Sequence, residues 1–143
     1  MKKVVKTSIS IIALVLIISG VYWYIIHPHS YNYDTAVKNG DVVAGADGLK
    51  NVDQFHAFIK NVENKQPDKI RITAFSKEGY PEVFDINFDG NIIKCTTDNT
   101  RNLYGRDNTK RYGEYTKIIK NEINDYILVD ETKRYESEGL FQE

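Results

Sequence analysis

The 143-residue chain has one cysteine, one tryptophan and three prolines. A single cysteine, Cys95, closes no internal disulfide and excludes zinc sites built from several thiolates. Acid is missing from the start of the chain. No acidic residue precedes Asp34, and no charge of either sign lies between Lys6 and Asp34. Strong positive charge is missing from the remainder. Residues 31–143 hold 16 Lys and Arg against 20 Asp and Glu, a net charge of −4. Such a domain has no long-range attraction for phosphate backbones, so nucleic acid is not an expected partner. Internal repeats and low-complexity tracts are also lacking, and no residue pattern implies a cofactor.

The uncharged start is a membrane signal. Lys2, Lys3 and Lys6 precede residues 8–26, a run of 19 that holds eleven Ile, Leu and Val. About 20 apolar residues span a bilayer as a helix, and eleven such side chains contribute roughly −3 to −7 kcal/mol to insertion. Tyr22, Trp23 and Tyr24 lie where amphipathic rings favour the headgroup level, and Pro28 stops the run. Residues 1–26 are therefore expected to be a signal-anchor, with the membrane as partner through residues 8–26. The lysines place the N-terminus in the cytoplasm and the domain outside. Secretion after signal-peptide cleavage is the alternative, but bulky aromatics stand where a cleavage site needs small residues. Leu16 to Gly20 resembles the approach to a lipoprotein cleavage site, yet the next residue is Val21, which cannot carry the lipid thioether.

Residues 27–40 read as a juxtamembrane linker, partly helical from Asp34 to Lys38; His27 and His29 belong to it rather than to a metal site. Residues 41–130 form the domain, and 131–143 a charged tail. Val52, Phe55, Ile59 and Val62 recur at helical spacing, which predicts a helix over Asn51–Asn64. Asn51 is expected to cap it, with Gln54 reaching back. Alternation predicts strands over 69–76, 82–88 and 92–97. A two-residue turn at Asp89-Gly90 would pair Phe88 with Asn91, Ile86 with Ile93 and Phe84 with Cys95. A three-residue loop, Lys77 to Gly79, pairs Ile72 with Phe84 and Ile70 with Ile86. These registers place Arg71, Asp85 and Lys94 side by side on the outer face and bury Cys95 against the helix. A final hairpin, 115–123 with 126–130, turns at Asn124-Asp125. The expected fold class is α+β: one transmembrane helix, then a helix packed on an antiparallel sheet of about five strands.

Three site candidates follow. Asp85, Asn87, Asp89 and Gly90 match the first half of a calcium loop, but Thr96 stands where the bidentate Glu is needed and the flanks have the period of a strand. His56 lies at the edge of the helix's apolar face without a nucleophile to serve. Residues 96–107 are the most chemically varied stretch, and loops at strand ends are where binding groups gather. Asp98, Asn99, Thr100 and Arg101 are taken as the binding candidates, with Asp98 as the one carboxylate an envelope-acting enzyme would use.

Asn51 to Phe55, Pro67 to Thr73, Glu78 to Pro81, Phe88 to Lys94 and Asp98 to Arg101 together resemble the domain of unknown function 4362, over about residues 41–130. That resemblance implies an exported domain of the kind found in small proteins of Gram-positive bacteria, often lipid-anchored, with no activity assigned. Val21 stands where lipid-anchored members carry Cys. The function expected from all of this is a membrane-anchored extracytoplasmic binding module that contacts a protein or the cell envelope. The alternatives are an envelope-acting enzyme using Asp98, or calcium binding at Asp85, Asn87 and Asp89.

Overall fold

A computed structural model describes residues 12–22, 31–102, 108–133 and 137–143. The chain divides into two units, residues 1–30 and 31–143. In the first, residues 12–22 form helix α1, whose side chains are exposed. No helix among the described residues is long and apolar enough to cross a membrane. This corrects the expected transmembrane helix. At 1.5 Å per residue the described turns of α1 reach about 16 Å, against a hydrocarbon core of about 30 Å.

The described residues of the second unit form two helices and nine strands. They are α2 (Tyr33–Asn39), β1 (Val42–Gly45), β2 (Gly48–Lys50), α3 (Val52–Glu63), β3 (Asp68–Phe75), β4 (Pro81–Phe88), β5 (Ile93–Asp98), β6 (Lys110–Tyr115), β7 (Lys117–Lys120), β8 (Asp125–Val129) and β9 (Ser137–Gln142). Strands β1 to β6 make one sheet in the order β2-β1-β3-β4-β5-β6, and β7-β8-β9 make a second. The expectation of one antiparallel sheet of about five strands is thereby corrected in number and in kind. β1 runs parallel to β3. A parallel pair needs a crossover, and α3 supplies it, which places that helix on a face of the sheet. Val42 to Ala44 is too short an apolar run to announce a strand by alternation.

Register follows local turn chemistry. Between β3 and β4 the three-residue loop forms as expected: Ile70 pairs with Ile86, Ile72 with Phe84, and Gly79 takes φ 83°. Between β4 and β5 the turn is longer than expected. The Asp89 carboxylate accepts from the amides of Asn91 (3.0 Å) and Ile92 (2.9 Å), and only Gly90 of the two central residues has positive φ. Phe88 therefore pairs with Ile93, Ile86 with Cys95 and Phe84 with Thr97. The slip is two residues. Side chains alternate with period two, so every one keeps its face. A slip of one would have turned Phe84, Ile86 and Phe88 to solvent.

The core lies on the face that carries Ile72, Phe84, Ile86, Ile93 and Cys95, all buried. Helix α3 and the second sheet cover it. Phe55 and Phe58 are the buried residues of α3, with Ile59 and Val62 packed at its margin. Burying a Phe of this kind stabilises by about 2–3 kcal/mol. The Phe55 ring meets Tyr126 edge-on at 4.8 Å and Phe141 at 5.0 Å. Asn51 does not cap α3 with its side chain: it sits at φ 56°, and its amide donates to the carbonyls of Asp41 (2.7 Å) and Val37 (3.3 Å). The chain leaves the first sheet for the second at Thr116, whose amide donates to the Val129 carbonyl. Hence Tyr115 ends β6 and is not part of the final hairpin, whose strands are the shorter β7 and β8. Residues 137–142 of the expected tail are strand β9, which buries Leu140 and Phe141.

The opposite face of the first sheet is half covered. At one end Val43, Thr73 and Val83 are buried, and Tyr33 of α2 packs on Phe75 with ring centroids 5.9 Å apart. Asn32 caps α2 by accepting from the Thr35 amide. Among the described residues, the other end of this face stays open.

Candidate functional site

The open part of the sheet is floored by outward side chains of β3, β4 and β5 and walled by the end of α2. Asn39, Asp41, Lys69, Arg71, Asn87 and Thr96 are among the residues lining this groove of about 910 Å³. Pairing explains the arrangement. Lys69, Asn87 and Lys94 lie in one cross-strand row, and Arg71, Asp85, Thr96 and Tyr112 in the next. Residues opposite one another in a ladder share a face, so these rows form a continuous polar surface across four strands.

Two groups in the floor are fixed. Arg71 donates through Nε (2.6 Å) and a terminal nitrogen (3.1 Å) to the two oxygens of Asp85. That fork, with the Asp85 charge, raises the pKa of the guanidinium against the opposing effect of burial. The expected row of Arg71, Asp85 and Lys94 is thus realised for the first two only. The longer turn moves Lys94 beside Asn87, and its ammonium reaches Asp89 at 3.4 Å. Behind the wall, the buried Asp41 carboxylate accepts from Tyr31 (2.5 Å) and Thr73 (2.6 Å). This node joins the first residue of the unit to the centre of the sheet. Asn39 of the wall donates to the Tyr31 hydroxyl (3.4 Å), but other polar groups are uncommitted: among the described residues, the side chains of Lys69, Asn87 and Thr96 have no hydrogen-bond or ion-pair partner.

The structure brings three of the four binding candidates at the end of β5 together. Asp98 Oδ1 accepts from the Thr100 amide (3.0 Å) and hydroxyl (2.6 Å). Its Oδ2 faces Lys110 (3.2 Å) and Arg101 (3.5 Å). Arg101 lies over the Tyr31 ring, 5.5 Å from its centroid. Asn99 takes part through its backbone, its amide donating to Thr109. Burial pushes the Asp98 carboxyl up, but the Thr100 donors and Lys110 outweigh it and hold it below the usual carboxylate range. A general acid needs the reverse shift. These contacts make Asp98 the closing residue of a loop; Leu103 to Asp107 of the same stretch fall outside the described residues, as do His27 and His29.

The calcium candidates are spread along a strand. Asp85 and Asn87 are successive outward residues of β4, Asp85 is engaged by Arg71, and Asp89 is occupied by the amides of Asn91 and Ile92. A calcium loop instead curls six or more oxygens around one point. Among the described residues no three His, Cys, Asp or Glu side chains gather as metal ligands do. His56 is exposed, its Nε2 3.1 Å from Glu143. Burial pushes the Cys95 thiol up to about 12, which makes it an inert core group.

Two features were beyond the reach of the sequence patterns. Tyr112 enters the open face because β6 pairs with β5, and nothing in the polar run before it signalled a strand. Thr97, Arg111 and Glu138 meet because β9 folds back: Glu138 accepts from Thr97 (3.0 Å) and from Arg111 (2.9 Å).

An α+β domain with a mixed six-stranded sheet, a crossover helix and one open polar face is the class these observations define. The model of the family described as Domain of unknown function (DUF4362) matches residues 39–127, which is more than half of the chain. The chain belongs to that family. Comparison with curated proteins and with solved structures gave no match.

Proposed function

We propose that this chain is a binding module that works outside the cytoplasm, kept at the cell membrane by its hydrophobic N-terminal segment, and that the open face of the six-stranded sheet is its contact surface. The observation that carries the reading is the groove of about 910 Å³ with uncommitted polar side chains at Lys69, Asn87 and Thr96 over a rigid sheet. Groups left unpaired on a rigid element are available to a partner without reorganisation, which is the arrangement that binding favours. Three lysines before an uncharged run, followed by an acidic domain, support export and membrane association through residues 8–26. The low-pKa, fully engaged Asp98 gives no support to acid–base chemistry.

The test is site-specific photo-crosslinking of the full chain in its native membrane, with the crosslinker at Asn87 in one preparation and at Glu63, on the opposite side of the sheet, in another. A recurrent envelope or protein adduct from Asn87 that is absent from Glu63 is the expected result. Equal labelling from both positions would sink the assignment of the face. Fractionation of the same cells checks the membrane: a chain released in soluble form, with an N-terminus cut near residue 26, would make it a secreted module instead.

A further inference from the structure

We infer that the ligand of this face is a neutral oligosaccharide, laid across β3 to β6 with the Tyr112 ring as its apolar platform. The inference rests on the open face being the binding surface.

Chemistry narrows the ligand class stepwise. Arg71 and Lys94 are each matched by a carboxylate on the same surface, Asp85 and Asp89. Lys69 is the groove cation without an ion-pair partner among the described residues. One cation does not make a site for a polyanion, whose binding rests on several. An extended peptide docks on a sheet edge through main-chain groups. The groove instead crosses β4 and β5, whose groove residues are paired on both sides. β3 has its second neighbour, β1, at Ile72 to Ala74, so a peptide docked through its main chain would be confined to the short edge at Lys69 to Arg71. An apolar chain would find a floor of charged and amide side chains.

A sugar meets what is there. Its hydroxyls donate and accept at once, and the floor offers both kinds of group: the ammonium of Lys69, the amide of Asn87, the hydroxyl of Thr96 and the outer lone pairs of Asp85 held by Arg71. Its other need is a flat apolar surface for the C–H face of a ring. Tyr112 provides it, because the side chain is 63% exposed. Its hydroxyl donates to Glu114 at 2.8 Å, which holds the ring to the sheet. Tyr112 pairs directly with Thr96, so platform and donors share one face. From β3 to β6 is three strand spacings, about 14 Å, a reach that suits a chain of sugars better than a single ring.

The full chain, in a detergent without a sugar headgroup, is applied to an array of neutral and acidic glycans, and each hit is titrated by NMR. Saturable binding of a neutral oligosaccharide is expected, with about tenfold loss in Asn87→Ala and in Tyr112→Ala. Tyr112→Phe should keep most of the affinity, because the ring remains. Both positions are solvent-facing, and an unchanged melting temperature separates lost contact from lost fold. Binding only to acidic glycans, lost on adding salt, overturns the inference in favour of a polyanion. So does an array without neutral hits, or a hit that Tyr112→Ala leaves intact. If the array is blank while the Asn87 crosslinker still captures one recurrent partner, the binding face stands and the sugar falls. A blank array with no face-specific adduct removes both.

Discussion

Arg71 and Asp85 face one another across β3 and β4, and their side chains meet in a two-pronged contact of 2.6 and 3.1 Å. The pair is half exposed on each side, at 48% and 50%. An ion pair in that setting is screened and contributes little to stability. Its geometric effect is larger, since the fork holds the Asp85 oxygens in one orientation in the middle of the open face. In a double-mutant cycle with Arg71→Met and Asp85→Asn, the coupling energy from urea denaturation should be about 0.5–1 kcal/mol and shrink with salt. A coupling well above that range would show the pair to be structural.

Asp41 predicts a different magnitude. Its buried carboxylate satisfies the hydroxyls of Tyr31 and Thr73. Asp41→Ala leaves both without this acceptor and should cost about 2–4 kcal/mol, whereas Tyr31→Phe removes the bond to Asp41 and the long one from the exposed Asn39 amide (3.4 Å) and should cost about 1 kcal/mol. Urea denaturation monitored by tyrosine fluorescence measures both. Equal losses would mean that the node is not organised around the carboxylate.

Asp98 tests the candidate loop. The folded state holds its carboxyl below the usual range. A depressed carboxyl contributes stability that is present above its unfolded pKa, about 3.9, and disappears as pH falls through the folded value. Asp98→Asn should therefore be less stable than the parent at pH 7, by about 1–2 kcal/mol, with the difference closing below pH 4. A pH-independent difference would assign the loss to packing.

Cys95 has the opposite sign. Its thiol is raised from 9.0 to about 12. The unfolded chain ionises it first, so its contribution to stability is whole below pH 9 and is lost as pH rises towards 12. Native protein should resist iodoacetamide at pH 8 and react only at the rate of unfolding. Rapid labelling under native conditions would show an open path to the core.

Phe55 carries the contact between α3 and the second sheet, through Tyr126 and Phe141. Phe55→Ala should cost about 3–5 kcal/mol. Truncating the exposed Ile123 should change stability by less than about 0.5 kcal/mol, and thermal unfolding of the two variants compares them directly.

What the sequence determined by itself was local. Helix α3 followed from apolar residues at helical spacing, and the face of each residue in β3, β4 and β5 from period-two alternation. The β3–β4 register followed from a loop in which Gly79 takes the left-handed position. Parity is why the error at Asp89-Gly90 did little harm, since a slip of two preserves every face. Long-range choices were decided only by the tertiary structure. Val42 to Gly45 becomes a strand because β3 offers it an edge and α3 bridges the two. Residues 137–142 become β9 because β8 pairs with them, burying Leu140 and Phe141 that a charged context had hidden. Asp98 looked like a free binding group because sequence shows its neighbours but not Lys110, which pairing brings across from β6. Tyr112 joined the open face by the same pairing. Local patterns record which way a side chain points; which residues stand opposite it depends on strands that meet from far along the chain, and no local propensity encodes that meeting.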